Sequence, residues 1–212
     1  MGSITDNFSS LSEVLLADYR ARKAPERDIL SARLLKPLLP AAFRSGMGQI
    51  VDLKDRQLGP FDIVGCWDVF PPLGEGMASQ FLVDGVAFCL QVRNWKEEDL
   101  TQFAAMAGRL KALSRKTKSP ILCAVVGFES LPANQVSEFM RSSAGQAIDG
   151  VLSIGKHLML RNSQGWYGDP KRVPFVTEKG EGESLKAFAF WLVHITQTFL
   201  GVPYRLADYQ HL

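Results

Sequence analysis

The chain has 212 residues, 46% of them hydrophobic and 22% charged, with a formal net charge of +2. That balance excludes general disorder, and so mild a charge does not by itself mark a nucleic-acid binder. No stretch approaches the ~18–20 clean apolar residues of a membrane span, the opening MGSITDNFSS lacks the apolar core of a secretory signal, and three cysteines make no disulfide framework, so the expectation is a cytoplasmic α/β protein forming one domain over residues 1–212.

Leu11, Val14, Leu15 and Tyr19, with Leu16 alongside, fall at helical spacing, with Ser9 or Ser10 as N-cap. This N-terminal helix belongs to residues 1–24. A second helix starts near Pro25 and carries Ile29, Leu30, Leu34, Leu35, Leu38 and Leu39 on a wide apolar face. Pro37 should kink or end it, and Pro40 stops it. The period then changes. Residues 49–53, 61–67 and 85–93 predict three strands, the last apolar enough to be buried on both faces. A polar turn at residues 54–56 and a Pro- and Gly-rich loop over residues 71–79 connect them as a meander with a long second connection.

Residues 97–114 predict a helix with Phe103, Met106, Leu110 and Leu113 on one stripe. The run ILCAVVGF at 121–128 is a fourth buried strand and closes a core region that begins at residue 25. In the remaining residues, 129–212, Pro132 opens a helix toward Met140, and residues 148–154 and 157–160 read as strands. Residues 161–180 read as loop and edge strand, and 183–200 as a long helix that is apolar nearly all round. Such a helix is either deeply buried or covered by a partner, which leaves a homodimer through it open. The order predicts a mixed β-sheet with helices on both faces.

Asp62 in one strand and Gln91-x-Arg93 near the end of the next are the residues with most chemistry in them. A carboxylate beside a buried strand is costly unless it finds a partner or a cation. Residues 91 and 93, two apart, share one sheet face, and Asp62 can reach that face from the adjoining strand. Polar groups so arranged can converge on one hard cation, the geometry by which a divalent ion activates water against a phosphodiester.

These residues stand in a longer collinear series: Arg27-Asp28, Leu38-Leu39-Pro40, Gly48-Gln49-Ile50-Val51-Asp52, Pro60-Phe61-Asp62-Ile63-Val64, Pro71-Pro72, Gly85-Val86 and Leu90-Gln91-Val92-Arg93. Residues 120–128, Ile148-Asp149-Gly150-Val151-Leu152 and Gly182-Glu183-Ser184-Leu185 continue it. The series resembles the PD-(D/E)XK nuclease-like superfamily, and within it a prokaryotic domain-of-unknown-function family (number 6602). The resemblance implies a restriction-endonuclease-like fold, a Mg²⁺ site and a DNA or RNA partner. On this chain it places the metal ligands at Asp28, Asp62 and Gln91 and the catalytic group at Arg93. Three of these depart from the pattern: Asp28 stands for Glu, Gln91 for the metal-binding Glu, and Arg93 for the catalytic Lys.

An amide carbonyl can still ligate a hard cation, but a guanidinium stays protonated and cannot act as a base. It can bind phosphate. The expectation is a nuclease-shaped, nucleic-acid-binding protein with weak or lost hydrolysis, in which Asp62 and Arg93 form an ion pair where the metal would sit. An active Mg²⁺ endonuclease and a protein-interaction or immunity-type scaffold are the alternatives, and Glu26 is the register alternative to Asp28.

Arg109, Lys111, Arg115, Lys116 and Lys118 form a run with no acidic residue between Asp99 and Glu129, and read either as a phosphate-facing surface or as a solvated helix end. Trp95 could stack on a base or plug the sheet end, with Asn94 and Lys96 as polar neighbours. Cys66, Cys89 and Cys123 lie in apolar runs without metal-ligand spacing, so buried thiols are expected. His157, His194 and His211 are scattered, and no phosphate-binding glycine loop or G-x-S-x-G elbow is present.

Overall fold

The structure, a computed structural model, describes residues 3–70, 72–74, 79–93, 97–129 and 131–201. Helix α1 (Ile4–Arg20) begins at Ser3, whose hydroxyl accepts the Asp6 N–H while the Asp6 carboxylate accepts the Ser3 N–H. This reciprocal cap starts the helix earlier than its apolar stripe alone suggests, with Asp doing what Glu or Gln does in the usual box. Pro25 caps α2 (Glu26–Leu30), which passes through a π turn (Ser31–Leu35) into α3 (Lys36–Leu38). Pro37 has no N–H to give the preceding turn, and the chain there winds wider: the Lys36 N–H reaches back five residues to the Ser31 carbonyl. Ile29, Leu30, Leu34 and Leu35 are buried as expected.

Eight strands form one sheet: β1 (Phe43–Val51), β2 (Gln57–Trp67), β3 (Gln80–Leu82), β4 (Val86–Val92), β5 (Leu122–Gly127), β6 (Gly150–Ser153), β7 (His157–Arg161) and β8 (Phe175–Lys179). Their order is β3-β1-β2-β4-β5-β6-β7-β8. The expected meander is the antiparallel β1-β2-β4 unit; β4-β5-β6 is parallel and β6-β7-β8 antiparallel. Strand β3 was not legible, because three residues carry no periodicity; it adds to β1 in parallel at the sheet edge. Helices α4 (Glu97–Lys111), α5 (Ala133–Arg141) and α6 (Glu181–Phe199) complete the layers.

One face of the sheet packs Ile63, Leu90, Val92 and Leu152 under α1, α2 and α6; the other packs Val64, Cys89, Cys123 and Val125 under α4 and α5. The three cysteines are free and buried, as expected. Helix α6 buries Leu185, Phe188, Trp191, Leu192 and Ile195 within the chain, and α1 crosses it through the Ser12 hydroxyl donating to the Glu181 carbonyl at 2.7 Å and Phe8 edge-on to Phe190. The apolar girth that suggested a homodimer through this helix is therefore covered internally. Among the described residues no helix is long and apolar enough to cross a membrane.

Buried carboxylates tie the loops down. Asp52, fully buried, accepts the N–H groups of Lys54, Arg56 and Ser114 at 2.8, 3.0 and 3.0 Å and the Arg56 guanidinium at 2.6 Å. Burial alone would raise this carboxyl, but the guanidinium and the three backbone donors outweigh it and hold it well below its ordinary value. Asp52, the last residue of the Gly48–Asp52 motif, thus fastens the β1–β2 turn to the loop after α4.

Gly48, the first residue of that motif, has a steric role. A Cβ there would lie 2.2 Å from the backbone oxygen of Ser79, the atom that accepts the Gln49 N–H at 2.9 Å. Neither strand can yield without losing the β1–β3 pairing. Gly48→Ala should destabilise the fold by about 1–3 kcal/mol, read from a lower denaturant midpoint, with faster hydrogen exchange at Gln49; an unchanged midpoint would refute the close approach.

Candidate functional site

Strands β2 and β4 pair with Ile63 opposite Leu90, and both side chains enter the core under α1 and α6. Gln91, between Leu90 and Val92 of that core, faces the α4 side. Along β2 the alternation breaks: Phe61 packs on Phe103 of α4 and Ile63 lies in the opposite core, where the pairing with β1 shifts register, so hydrogen bonding and not strand period places Asp62. There the strands part, and side-chain bonding replaces ladder bonding. The Asp62 carboxylate accepts the Val92 N–H at 2.9 Å and a short hydrogen bond from the Gln91 amide. Burial raises the Asp62 carboxyl; the Val92 N–H, the charges of Arg93 and Arg27, and the Gln91 amide lower it only in part. Gln91 is 6% exposed, and its Oε1 has no hydrogen-bond partner among the described residues.

Two residues on, Arg93 continues the parallel pairing through its N–H to the Val126 carbonyl at 3.1 Å. Its side chain, 55% exposed, lies 4.0 Å from Asp99 in the first turn of α4. The expected Asp62–Arg93 contact is thus replaced: Gln91 and Val92 take the carboxylate, and Arg93 acts on it through space while Asp99 holds the guanidinium.

A cleft of about 480 Å³ opens between this strand end and α4. The β-side wall is Gly59, Pro60, Gln91 and Arg93; the helix contributes Asp99, Gln102, Phe103, Met106 and Arg109. The helical residues recur every three or four positions, so one face of α4 looks into the cleft. Asp99, Gln102 and Met106 were not singled out from sequence as site residues. The available signal was an inward stripe mixing polar residues with Phe103 and Met106, which reads as core when only the apolar members are counted.

Asp28 is a correction. It lines a different cavity, with Lys36, Phe43 and Arg44, and its carboxylate is 53% exposed and paired with Arg27 at 3.2 Å. Burial of Ile29 and Leu30 fixes the rotation of α2, and that rotation takes Asp28 out of the cleft. The helix instead offers a cation: the Arg27 guanidinium reaches Met47 on β1, 2.6 Å from its sulfur, and its charge acts on Asp62. Glu26 lines a third cavity with Tyr19, Arg20 and Glu129.

The basic run divides. Arg109 faces the cleft. Lys111, two residues and about 200° further around the helix, is tied to buried Asp149 at 2.6 Å. Arg115 is half-buried near Asp84, which also accepts the Lys116 N–H at 2.6 Å. Lys111 therefore serves the core and Arg115 packs into the loop, the exposed Lys116 side chain lies outside the cleft lining, and of this run only Arg109 joins the strand-end residues. Asn94, Trp95 and Lys96 lie outside the described residues.

As a seat for Mg²⁺ the set is thin. One carboxylate, Asp62, already accepts two hydrogen bonds; one neutral amide oxygen, Gln91 Oε1, stands beside it; and the cations Arg93 and Arg27 bear on the same carboxylate. Among the described residues no three His, Cys, Asp or Glu side chains stand together as metal ligands. The described side chains do not fit a divalent ion held by protein groups alone.

No family model matches the chain, the numbered family included, and no curated protein matches it. Solved structures do. NucC of E. coli MS115-1 in its cAAA-bound form superposes with a TM-score of 0.76 at 18% identity, covering 98% of this chain and 96% of that one. NucC of P. aeruginosa ATCC27853, also cAAA-bound, gives a TM-score of 0.75 at 15% identity over 98% and 96%. The likeness runs through the whole mixed sheet and the C-terminal helix, and the fold is the restriction-endonuclease-like α/β fold expected from the sequence.

Proposed function

We propose that the chain is a nuclease-like protein that binds nucleic acid in the cleft of Gln91, Arg93 and Arg109, beside Asp62, with phosphodiester cleavage weak or lost. One observation carries this reading: a half-buried carboxylate, raised by desolvation, is hydrogen-bonded to Gln91, which lines a cleft that also holds Arg93 and Arg109. A structural role alone does not call for a charge at that point, because an amide would satisfy the same donors. The NucC fold supports the nuclease-like part.

Each residue has a task in binding. Arg93 and Arg109 present guanidinium forks that match phosphate oxygens. Asp62 fixes the Gln91 side chain and, with Asp99, keeps the field of the arginines from spreading to the sheet. Asp99 holds Arg93 at 4.0 Å until a phosphate displaces it. Arg93, standing where the catalytic Lys is expected, cannot act as a base, since a guanidinium keeps its proton.

The pairing of Asp62 with Gln91 also favours a second reading, an active metal-dependent endonuclease. Plasmid and single-stranded substrates incubated with Mg²⁺ or Mn²⁺ separate the two. The proposal expects no cleavage, or a trace; strong metal-dependent cleavage abolished in Asp62→Ala would establish the second reading. For binding, Arg93→Ala and Arg109→Ala should each weaken an oligonucleotide and reduce the slope of log K against log salt by about 1. A slope unchanged in both variants would remove the cleft from the binding surface.

Asp62 also makes a stability prediction. Its raised carboxyl binds a proton more tightly folded than unfolded, so its contribution is greatest below the ordinary aspartate range and declines as pH rises through the raised value. Asp62→Asn keeps an acceptor for Val92 and removes the charge. It should unfold about 1 kcal/mol later than the parent near neutral pH, with the gain shrinking toward pH ~3, below the ordinary aspartate value. Denaturant titrations at both pH values check this; a parent more stable than the variant at neutral pH would show that the charge helps the fold.

A further inference from the structure

The nucleic-acid reading leaves open which form of nucleic acid the cleft accepts, and the chemistry between its two arginines bears on this. Arg93 stands at the Asp99 end of α4, and Arg109 lies ten residues further along, about 15 Å at 1.5 Å per residue. Among the described residues the surface between them carries no further cation. It is made of Pro60, Phe103 and Met106 with the amides of Gln91 and Gln102.

A duplex would suit this surface poorly. Its bases are stacked inside, and it would offer phosphates to a wall of Met, Phe and amide, desolvating charge without compensation. The unpartnered Gln91 Oε1 sharpens the point. It is a buried acceptor and needs a donor. Phosphodiester oxygens only accept; the N–H groups of an unpaired base donate. Cationic ends with apolar and amide walls between them are the pattern of a groove for single strands, where the backbone is held electrostatically and the bases rest on side chains.

We infer that the cleft takes single-stranded nucleic acid, with phosphates at Arg93 and Arg109 and a base inserted between Pro60 and Met106, its N–H edge toward Gln91. The span between the arginines is no more than about four nucleotide steps, at the ~3.4 Å per step of even a compact B-form strand. This rests on the nucleic-acid-binding reading above, and the test separates the two.

Three fluorescein-labelled probes of equal length distinguish the possibilities by anisotropy with the full chain: a mixed-sequence DNA 12-mer, on the order of three times the groove, its duplex, and an oligomer of abasic residues with the same phosphates. The intact strand should bind at least tenfold tighter than the other two. Gln102→Ala should weaken the intact strand threefold or more and leave the abasic oligomer unchanged. Gln91→Met, which removes the amide oxygen at similar size, should narrow the gap in the same way. If the duplex or the abasic oligomer binds as tightly as the intact strand, the inserted base is refuted while the phosphate-binding cleft stands. If none of the three shows salt-dependent binding, the nucleic-acid reading itself is refuted, and this inference with it.

Discussion

The geometry of the cleft depends on how β2 leaves β4. Two antiparallel strands that separate must find other partners for their backbone groups or expose them. Here the Asp62 carboxylate takes the Val92 N–H and the Gln91 amide, closing the divergence with a side chain. This fixes Gln91 at the cleft wall and sets the register from which Arg93 emerges. It also leaves a charge in a partly desolvated place, which a fold selected for stability alone would replace by an amide.

Around that point the molecule handles its other buried carboxylates differently. Asp52 is surrounded by backbone donors and a guanidinium and is held low. Asp149 is raised by burial but paired with Lys111 at 2.6 Å and with the Cys123 N–H at 2.8 Å. Both fasten one segment to another. Asp62 has no direct cation in contact among the described residues, only the fields of Arg93 and Arg27. Satisfied ion pairs mark architecture here, and the under-compensated carboxylate stands beside the cleft, bonded to Gln91 in its wall. Groups whose titration is shifted without a full structural partner concentrate at functional sites for this reason.

Helix α4 joins the two uses of its surface. Leu100, Ala104, Ala107 and Leu110 hold it to the sheet. Asp99, Gln102, Met106 and Arg109 lie along the adjacent stripe and form the cleft. Lys111 then turns back to the core at Asp149. Within the helix, rotation thus separates two basic residues close in sequence, Arg109 toward the cleft and Lys111 toward the core.

The sequence by itself determined the mixed sheet, the meander, the buried β4 and β5 and the long last helix, because each is a repeated hydrophobic pattern summed over many residues. It also singled out Asp62 and Gln91 as neighbours on adjoining strands, and the two are hydrogen-bonded; the shift of register at Phe61–Val64 that sets how they meet was not legible. Tertiary structure decided what depends on rotation and on distant neighbours: that Asp28 turns away while Arg27 turns in, that Arg93 meets Asp99 and not Asp62, and that Arg109 alone of its basic run reaches the cleft. Helix rotation is set by which apolar face the sheet accepts, and an ion pair by side chains far apart in the chain, so neither is written in any short stretch of residues.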